Sequence, residues 1–514
     1  MAKFRGSSRR SRSITPIDGW IIARKVVQGA ALLGFLALII LSRRSTVAPE
    51  IISLPMRLDP LAVLAAFLSG KTFLVGSIAA LSIVILTLVA GRAWCGWLCP
   101  LGTLLDVFSI RRNRSSFKPP ETWRAVKYGL LLIILFMALF GSLTLLILDP
   151  LTILYRGFTL AIWPAIDQVV TSLQIALYPI PILSRAVIAF DRWIRPALLP
   201  SSPLYFREAF LFGAVLAGVI LLNHFSPRFW CRYLCPLGGL LGWISRISIF
   251  RRQVDAECRQ CGACERACPT GTIDPQRGYV SDPAECTLCL ECFQSCPGDT
   301  IRLAANLSVA PRYEYDPGRR QVLTALGLSA LAVALFRRDA AARHPNQFLL
   351  RPPGAVDDHL MQTCVRCGIC MAACPTGALQ PAINEAGIEG LWTPVIVPRM
   401  GYCSFACAAC GSVCPVQAIP PLTLRVKRRQ VIGKAYIDQN RCLAWSDLQN
   451  CIICEEMCPL SNKAIRVIRT EVTREEGHTV TVLQPFVDRQ LCIGCGICEY
   501  KCPVGGEAAI RVYL

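Results

Sequence analysis

The chain has 514 residues, enough for several domains, and 53% of them are hydrophobic, with a mean hydropathy of +0.45. Part of the chain is therefore expected to lie in lipid. The net charge of +20 would also suit a nucleic-acid-binding protein. However, the basic residues concentrate beside apolar stretches and no aromatic-rich basic motif is present, so we expect positively charged cytoplasmic loops and no nucleic-acid partner.

Residues 1–250 predict an α-helical membrane domain. Four spans are expected, over about Val26–Leu41, Phe73–Ala90, Tyr128–Leu148 and Ala209–Asn223. Basic residues follow alternate spans, which places the N-terminus in the cytoplasm. Residues 60–69 are too short to cross and predict a surface or re-entrant helix. Residues 150–205 predict an outer-face segment that lies on the bilayer or dips into it.

A nine-residue motif, called the C-P repeat below, occurs twice in this domain. WCGWLCPLG occupies Trp94–Gly102, and WCRYLCPLG occupies Trp230–Gly238. Two-span units repeated in parallel pack about an axis along the membrane normal, which would bring together Cys95, Cys99, Cys231 and Cys235. We expect these four cysteines to form one further metal site, a seventh iron–sulfur site. Neutral buried thiols and reversible disulfides are the alternatives.

Residues 251–308 predict a dicluster ferredoxin domain on the cytoplasmic side. CRQCGACERACP and CTLCLECFQSCP each have the spacing C-x2-C-x2-C-x3-C-P, in which the fourth cysteine ligates the partner cluster. One [4Fe-4S] cluster is assigned to Cys258, Cys261, Cys264 and Cys296, and the other to Cys286, Cys289, Cys292 and Cys268. Gly262 is expected at positive φ. Zinc or disulfides would leave the repeated proline unexplained.

Residues 309–345 predict a linker. Arg319 and Arg320 precede an apolar run that ends at Phe336, a pattern that resembles a twin-arginine export signal. If this run crosses the membrane it is a fifth span and residues 346–514 are periplasmic. An interfacial helix without translocation is the alternative.

Residues 346–514 predict a soluble ferredoxin-like domain with four more cysteine runs. The runs are Cys364, Cys367, Cys370 and Cys374; Cys403, Cys407, Cys410 and Cys414; Cys442, Cys451, Cys454 and Cys458; and Cys492, Cys495, Cys498 and Cys502. We expect a nested exchange, in which the fourth cysteine of each run ligates the cluster of another run. Cys502 would complete the cluster of the first run and Cys374 that of the last run. Cys458 would complete the cluster of the second run and Cys414 that of the third. Sequential exchange between the first and second runs is the alternative.

With these runs the whole complement of 28 cysteines is placed, which favours six [4Fe-4S] clusters over disulfide bridges. No C-x-x-C-H haem motif occurs among them, and only four histidines are present. We therefore expect no haem, and we expect quinol to react near the repeat tryptophans and the cytoplasmic ends of the second and fourth spans.

The C-P repeats, the four spans and the dicluster run resemble the NapH-type membrane ferredoxins, over about residues 20–305. The twin-arginine segment and the four runs, including C-x8-C-x2-C-x3-C-P, resemble the NapG-type partner, over about residues 315–514. The chain thus looks like a fusion of the two subunits. This resemblance implies an α-helical membrane domain with α+β bacterial ferredoxin-like domains, located in the cytoplasmic membrane.

The resemblance further implies that the protein carries electrons between the quinone pool and a periplasmic or membrane reductase or cytochrome, as part of a larger complex. The alternative function is that of an accessory protein that reduces or assembles a metal centre of a respiratory enzyme. Six clusters favour the conduit, because an accessory reductase does not need so long a series.

Overall fold

The computed structural model describes residues 16–43, 47–71, 78–109, 121–200, 204–305, 319–341, 346–383, 385–473 and 479–514. The helices are α1 (Pro16–Leu41), α2 (Pro49–Arg57), α3 (Pro60–Gly70), α4 (Ile78–Ala90), α5 (Pro100–Val107), α6 (Arg124–Leu139), α7 (Pro150–Arg156), α8 (Trp163–Leu177), α9 (Pro181–Trp193), α10 (Arg195–Leu198), α11 (Ala209–Leu221), α12 (Pro236–Ser245), α13 (Ala263–Ala267), α14 (Glu291–Gln294), α15 (Arg319–Ala341), α16 (Asp357–Thr363), α17 (Ile369–Ala373), α18 (Ala409–Ser412), α19 (Leu424–Lys427), α20 (Ile453–Glu456) and α21 (Ile497–Lys501).

The strands are β1 (Phe250–Val254), β2 (Ile273–Asp274), β3 (Val280–Ser281), β4 (Ile301–Ala305), β5 (Leu379–Pro381), β6 (Pro394–Ile396), β7 (Lys434–Ile437), β8 (Ile465–Thr473), β9 (Thr479–Val487) and β10 (Ile510–Tyr513). They form five antiparallel two-stranded sheets. Short π-helices at Trp94–Leu98, Gly157–Ile162 and Trp230–Leu234 interrupt the α-helical segments.

The chain divides into two compact units. The first comprises residues 1–34, 83–127 and 222–316, and the second comprises residues 35–82, 128–221 and 317–514. Each unit combines apolar helical segments with iron–sulfur-type loops.

The apolar helices match the predicted spans only in part. Among the described residues, Gly19–Leu41 and Pro150–Leu177 are long and apolar enough to cross a membrane, and α2 with α3 would make a third candidate if that bent pair is one span. Helices α4 and α11 are apolar but shorter, and residues 72–77 of the predicted second span lie outside the described residues.

Two boundaries need correction. The third predicted span ends at Leu139 rather than Leu148, where Gly141 at φ +81° turns the chain. The outer-face segment predicted from residue 150 begins instead with α7, the π-helix and α8, which make one helical run of spanning length. Pro150 occupies the first position of α7, where the fixed φ of proline suits the start of a helix.

In the first unit the two strand pairs frame the dicluster loops. Strand β1 pairs with β4 across both cysteine runs, and β2 pairs with β3 between the runs. The small core there consists of Ile273 and Ile301 with the buried cysteines Cys264 and Cys292. So little apolar surface is buried that bound clusters are expected to supply most of the core.

The same arrangement recurs in the second unit. Strand β7 pairs with β10 across the third and fourth cysteine runs, and the long hairpin β8–β9 lies between those runs. The hairpin β5–β6 lies between the first and second runs. Each pair of consecutive runs is therefore built as one ferredoxin-like half.

A second internal repeat appears in the second unit. Leu58–Leu61 and Leu148–Leu151 both read Leu-Asp-Pro-Leu, and each aspartate caps the helix that starts at its proline. Asp59 accepts hydrogen bonds from the backbone N–H groups two and three residues on (2.8 and 3.3 Å), and Asp149 does the same (both 3.0 Å). Both carboxyl groups are fully buried and close enough to hydrogen-bond to each other.

Candidate functional site

The dicluster loops enclose two cavities lined by cysteines. One is lined by Cys258, Cys261, Cys264 and Cys296, and the other by Cys268, Cys286, Cys289 and Cys292. These are the two sets predicted from the spacing, with the fourth cysteine of each run exchanged. Both sets lie in the first unit.

Local backbone geometry explains why this spacing wraps a cavity. Gly262 takes φ +70° as the residue before α13, as predicted, and Gly368 (φ +82°) and Gly496 (φ +79°) have the same place before α17 and α21. The left-handed turn reverses the loop so that the third cysteine starts back along a one-turn helix. Leu290 adopts φ +63° at the equivalent position before α14, at a cost in backbone strain that glycine would avoid.

Burial keeps these cysteines as neutral thiols when no cation is bound. It raises the pKa of the Cys286 thiol to about 12 and that of the Cys367 thiol to about 12, so the side chains are neutral unless a cation offsets the cost. Bound iron would supply that charge and displace the proton. Backbone N–H groups also point at sulfur, as Ala409 N does at Cys407 Sγ (3.5 Å) and Ala435 N at Cys492 Sγ (3.4 Å).

The C-terminal runs exchange cysteines with their neighbours in the chain. One cavity is lined by Cys364, Cys367, Cys370 and Cys414, the next by Cys374, Cys403, Cys407 and Cys410, and a third by Cys442, Cys451, Cys454 and Cys502. Cys495 interacts electrostatically with Cys492 and with Cys458, which completes the fourth set. The predicted nested exchange is therefore wrong, and the sequential alternative holds.

The reason for this correction is topological. Helix α17 packs on α18, and α20 packs on α21, within two halves that their own strand pairs close. The insertions between the first and second cysteines of the middle runs lengthen a loop but leave this packing intact. Exchange between consecutive runs also closes shorter loops than nested exchange would.

The four sets of the second unit form an ordered row. Exchange of fourth cysteines couples the set that contains Cys364 to the set that contains Cys374. In the same way it couples the set that contains Cys458 to the set that contains Cys442. The two halves meet where Cys403 N donates to Cys495 O (2.9 Å). The order along the row is thus Cys364, Cys374, Cys458 and Cys442, each standing for its set.

The row begins beside the apolar helix α7. The Tyr155 and Arg156 side chains interact electrostatically with Cys367 and Cys370. Arg156 is buried, donates to Arg366 O and to Trp392 O (2.7 Å), and lies over the Trp392 and Phe212 rings at 5.1 and 5.4 Å. A helix that could cross a membrane therefore contacts the first cluster set directly.

A second buried arginine lies at the same set. Arg366 is 1% exposed, adopts φ +57°, and donates to the carbonyl oxygens of Cys364 (3.1 Å) and Leu391 (3.0 Å). Burial lowers its pKa to about 10, so it is charged at neutral pH. The sequence analysis missed both Arg156 and Arg366, because an arginine inside an apolar run or a cysteine run is not by itself a signal.

A buried charge cluster holds the dicluster domain against the helix ends of its own unit. Glu285 bonds Lys127 (2.5 Å) and Arg92 (3.0 Å), and all three side chains are at most 4% exposed. Burial opposes ionisation of Glu285, but Lys127 and Arg92 outweigh it, so the pKa of Glu285 lies below its usual value.

The four cysteines of the C-P repeats also come together, in the first unit. Electrostatic interactions link every pair among them. Cys95, Cys99 and Cys235 are buried and Cys231 is partly so. Among the described residues, no group of three or more histidine, cysteine, aspartate or glutamate side chains is arranged to hold a single metal ion.

Family comparisons agree with the cysteine patterns. A 4Fe-4S binding domain matches residues 62–118 and 208–255, a 4Fe-4S dicluster domain matches residues 257–300, and a further 4Fe-4S binding domain matches residues 361–380 and 485–506. Together these matches cover the C-P repeats, the dicluster loops and the first and last C-terminal runs.

Relatives match part of the chain. The methylamine utilization ferredoxin-type protein MauM of Methylorubrum extorquens is 36% identical over 205 residues, which is 38% of this chain and 89% of the relative. The ferredoxin-type protein NapG of Escherichia coli is 34% identical over 202 residues, 38% of this chain and 85% of the relative. No solved structure matches.

Proposed function

Because the chain belongs to the family of ferredoxin-type 4Fe-4S electron-transfer proteins that includes NapG and MauM, we propose that it carries electrons between a membrane quinone and a partner reductase or cytochrome through six [4Fe-4S] clusters. The NapH-like identity of its membrane part belongs to the same proposal. The six cysteine sets described above would hold the clusters, and each cluster accepts or donates one electron at a time.

One observation carries this proposal: the row of four cluster sets in the second unit starts at an apolar helix. Tyr155 and Arg156 of α7 lie next to Cys367 and Cys370, and the row then continues through the Cys403–Cys495 contact. An accessory protein that reduces one metal centre has no need of four sets in a row. A conduit from a membrane donor needs such a row.

The first unit offers a second approach to the membrane. Trp97 lies two residues after Cys95 in the C-P repeat and donates its Nε1–H to Leu288 O (3.0 Å) in the dicluster loop. Trp20 packs edge-on against Trp97 at 6.5 Å. Quinol oxidation near these tryptophans would release two electrons, taken singly by two clusters, and two protons.

The test is anaerobic reduction of the clusters by a quinol analogue in membranes that contain the full chain, with dithionite defining full reduction. We expect the quinol to reduce a substantial fraction of the dithionite-reducible clusters. If the reduced protein is instead oxidised by the quinone, electrons flow the other way. Inertness to both would overturn the proposal and favour the accessory function.

Two variants locate the entry point. Cys286→Ala removes a ligand in the first unit, and Cys364→Ala removes the equivalent ligand, the first cysteine of its run, in the second. If electrons enter through the first unit, only Cys286→Ala blocks reduction of the other unit's clusters by quinol. The reverse pattern places entry at α7. Dithionite reduction of the remaining clusters is the control for folding of both variants.

A further inference from the structure

The two C-P repeats have the same backbone at their cysteines. Cys99 N donates to Trp94 O and Cys235 N to Trp230 O, both at 2.9 Å, closing one π-helical turn in each repeat. Cys99 (φ −66°, ψ 116°) and Cys235 (φ −70°, ψ 112°) then start α5 and α12. Such π-turns are rare and are frequently found at functional sites.

The arginines three residues before each first cysteine cross between the repeats. Arg92 donates from Nη2 to Cys231 O (3.5 Å), and Arg228 donates from Nη1 to Cys95 O (3.3 Å). Each is 1% exposed. Arg92 also pairs with Glu285 (3.0 Å) and Arg228 with Asp106 (2.6 Å). The cysteine group is thus held by two buried cations in matching positions.

Several N–H groups surround the sulfur atoms. Gly238 N donates to Cys235 Sγ (3.2 Å), and the Gly102 backbone N–H hydrogen-bonds Cys99 in the other repeat. The indole Nε1–H groups of Trp94 and Trp230 are buried and have no hydrogen-bond partner among the described residues. Two unpaired donors at equivalent positions, each next to a first cysteine, indicate a missing acceptor.

The next cluster set is in direct contact with this group. Gly96 follows Cys95 and leaves no room for a side chain, because a Cβ there would lie 2.1 Å from Thr287 O. Thr287 itself follows Cys286. Arg228 interacts electrostatically with both Cys231 and Cys289. An electron at the four cysteines would therefore have a short protein path to the set of Cys268, Cys286, Cys289 and Cys292.

We propose that Cys95, Cys99, Cys231 and Cys235 hold a seventh iron–sulfur cluster, which exchanges single electrons with the cluster of Cys286. Four cysteine thiolates are the ligand number of one iron–sulfur cluster, and each of the four interacts electrostatically with the other three. Arg92 and Arg228 interact favourably with the Cys231 thiolate although each is also paired with a carboxylate, and the N–H donors would further stabilise sulfur-borne charge.

The inference rests on the proposed function only for its electron donor, a quinol, and its test does not use quinol. Iron and acid-labile sulfide are counted in the anaerobically purified full chain. Six cubanes give about 24 iron atoms per chain, and a seventh cluster raises the count to about 28, or to about 26 if it is binuclear. A count of about 24 in the wild-type protein overturns the proposal even if every variant fails to fold.

Variants assign the extra iron to this site. In Cys99→Ser with Cys235→Ser, we expect the count to return to about 24 while the signals of the six other clusters persist. Thr103→Val is the matched control: its hydroxyl is buried in the same helix and bonds Cys99 O (3.2 Å), but no thiol is lost. Iron that stays unchanged in the double variant shows that the cysteines are structural. Extra iron in a protein inert to quinol would sink the proposed function and keep the seventh cluster.

Discussion

Arg366 places a buried positive charge beside the cluster set that starts the row in the second unit. Its guanidinium donates to Cys364 O and interacts electrostatically with that cysteine. A nearby cation stabilises the reduced, more negative form of a cluster and so raises its potential. Arg156 adds a second cation at the same set. The two arginines are therefore expected to raise the potential of the first cluster of the row.

Replacement of Arg366 by glutamine tests this tuning. We expect the midpoint potential of one cluster to fall by on the order of 60 mV, which corresponds to about 1.4 kcal/mol for a single electron. A redox titration followed by electron paramagnetic resonance measures it. Arg425→Gln, on the exposed helix α19, should leave all potentials unchanged. A uniform shift of several clusters in Arg366→Gln would indicate structural disturbance and not a local charge effect.

The residue types of the site and the short spacings between its cysteines could be predicted from the sequence. The exchange of Cys268 and Cys296 follows from a spacing that a single loop can satisfy, and Gly262 occupies the positive φ that the loop requires. The buried charges Arg156 and Arg366 could not be found in this way. Their roles depend on which loop packs against α7, and that is decided by tertiary structure.

At the scale of elements, the two Leu-Asp-Pro-Leu segments start α3 and α7 in the same way. Asp59 and Asp149 each cap their own helix and also contact each other, although both are buried. Two carboxylates in hydrogen-bonding contact cannot both be ionised at low cost, so the pair is expected to share one proton. The pair thus joins the two halves of an internal repeat.

This sharing predicts different effects of two substitutions at one position. Asp149→Asn keeps a capping oxygen and offers Asp59 an N–H donor, so we expect unfolding free energy to change by less than about 0.5 kcal/mol. Asp149→Ala removes the cap and leaves Asp59 unpaired, and we expect a loss of about 2–4 kcal/mol. Thermal unfolding in detergent measures both.

The control for this prediction is Thr423→Ala, which removes the exposed cap of α19 (3.4 Å to Val426 N) and should cost roughly 1 kcal/mol or less. Equal destabilisation by Asp149→Asn and Asp149→Ala would show that the negative charge matters and that no proton is shared.

The wrong sequence predictions concern how secondary-structure elements pair and where they begin. Nested pairing of the C-terminal runs was inferred from matching spacings of the first and last runs, but strand pairing decides which loops meet. Strand β7 pairs with β10 around the third and fourth runs just as β1 pairs with β4 around the dicluster runs. The Leu-Asp-Pro-Leu repeat was visible in the sequence and would have indicated that residue 150 starts a helix.

At the scale of the molecule, both units combine apolar helical segments with cysteine sets, and this common plan suits a protein that moves electrons at a membrane. The first unit contains the dicluster sets and the four C-P cysteines, and the second contains four sets in a row that begins at α7. Under the proposed function, clusters held beside apolar helices would exchange electrons with a lipid-soluble carrier without any soluble shuttle.

The side of the membrane on which residues 346–514 lie decides which partners they can reach, and the twin arginines predict that side. Arg319 and Arg320 begin α15, whose Val322–Ala334 stretch is apolar but shorter than a typical span. If this segment acts as an export signal, the C-terminal module is translocated after its clusters are inserted. We propose that the module is periplasmic, whereas residues 251–308 are cytoplasmic.

A β-lactamase reporter fused after Leu514 tests this placement by the ampicillin resistance of whole cells, since this enzyme can fold before transport, as a twin-arginine substrate does, but is active in protecting the cell only outside the cytoplasm. We expect an active fusion for the natural chain and a large loss of activity in Arg319→Lys with Arg320→Lys, because lysine keeps the charge but not the twin-arginine pattern. A fusion after Ala305 should be inactive and serves as the cytoplasmic reference. If the full-length fusion is inactive while its protein accumulates normally, the module is cytoplasmic. Its partner would then have to be sought on that side of the membrane.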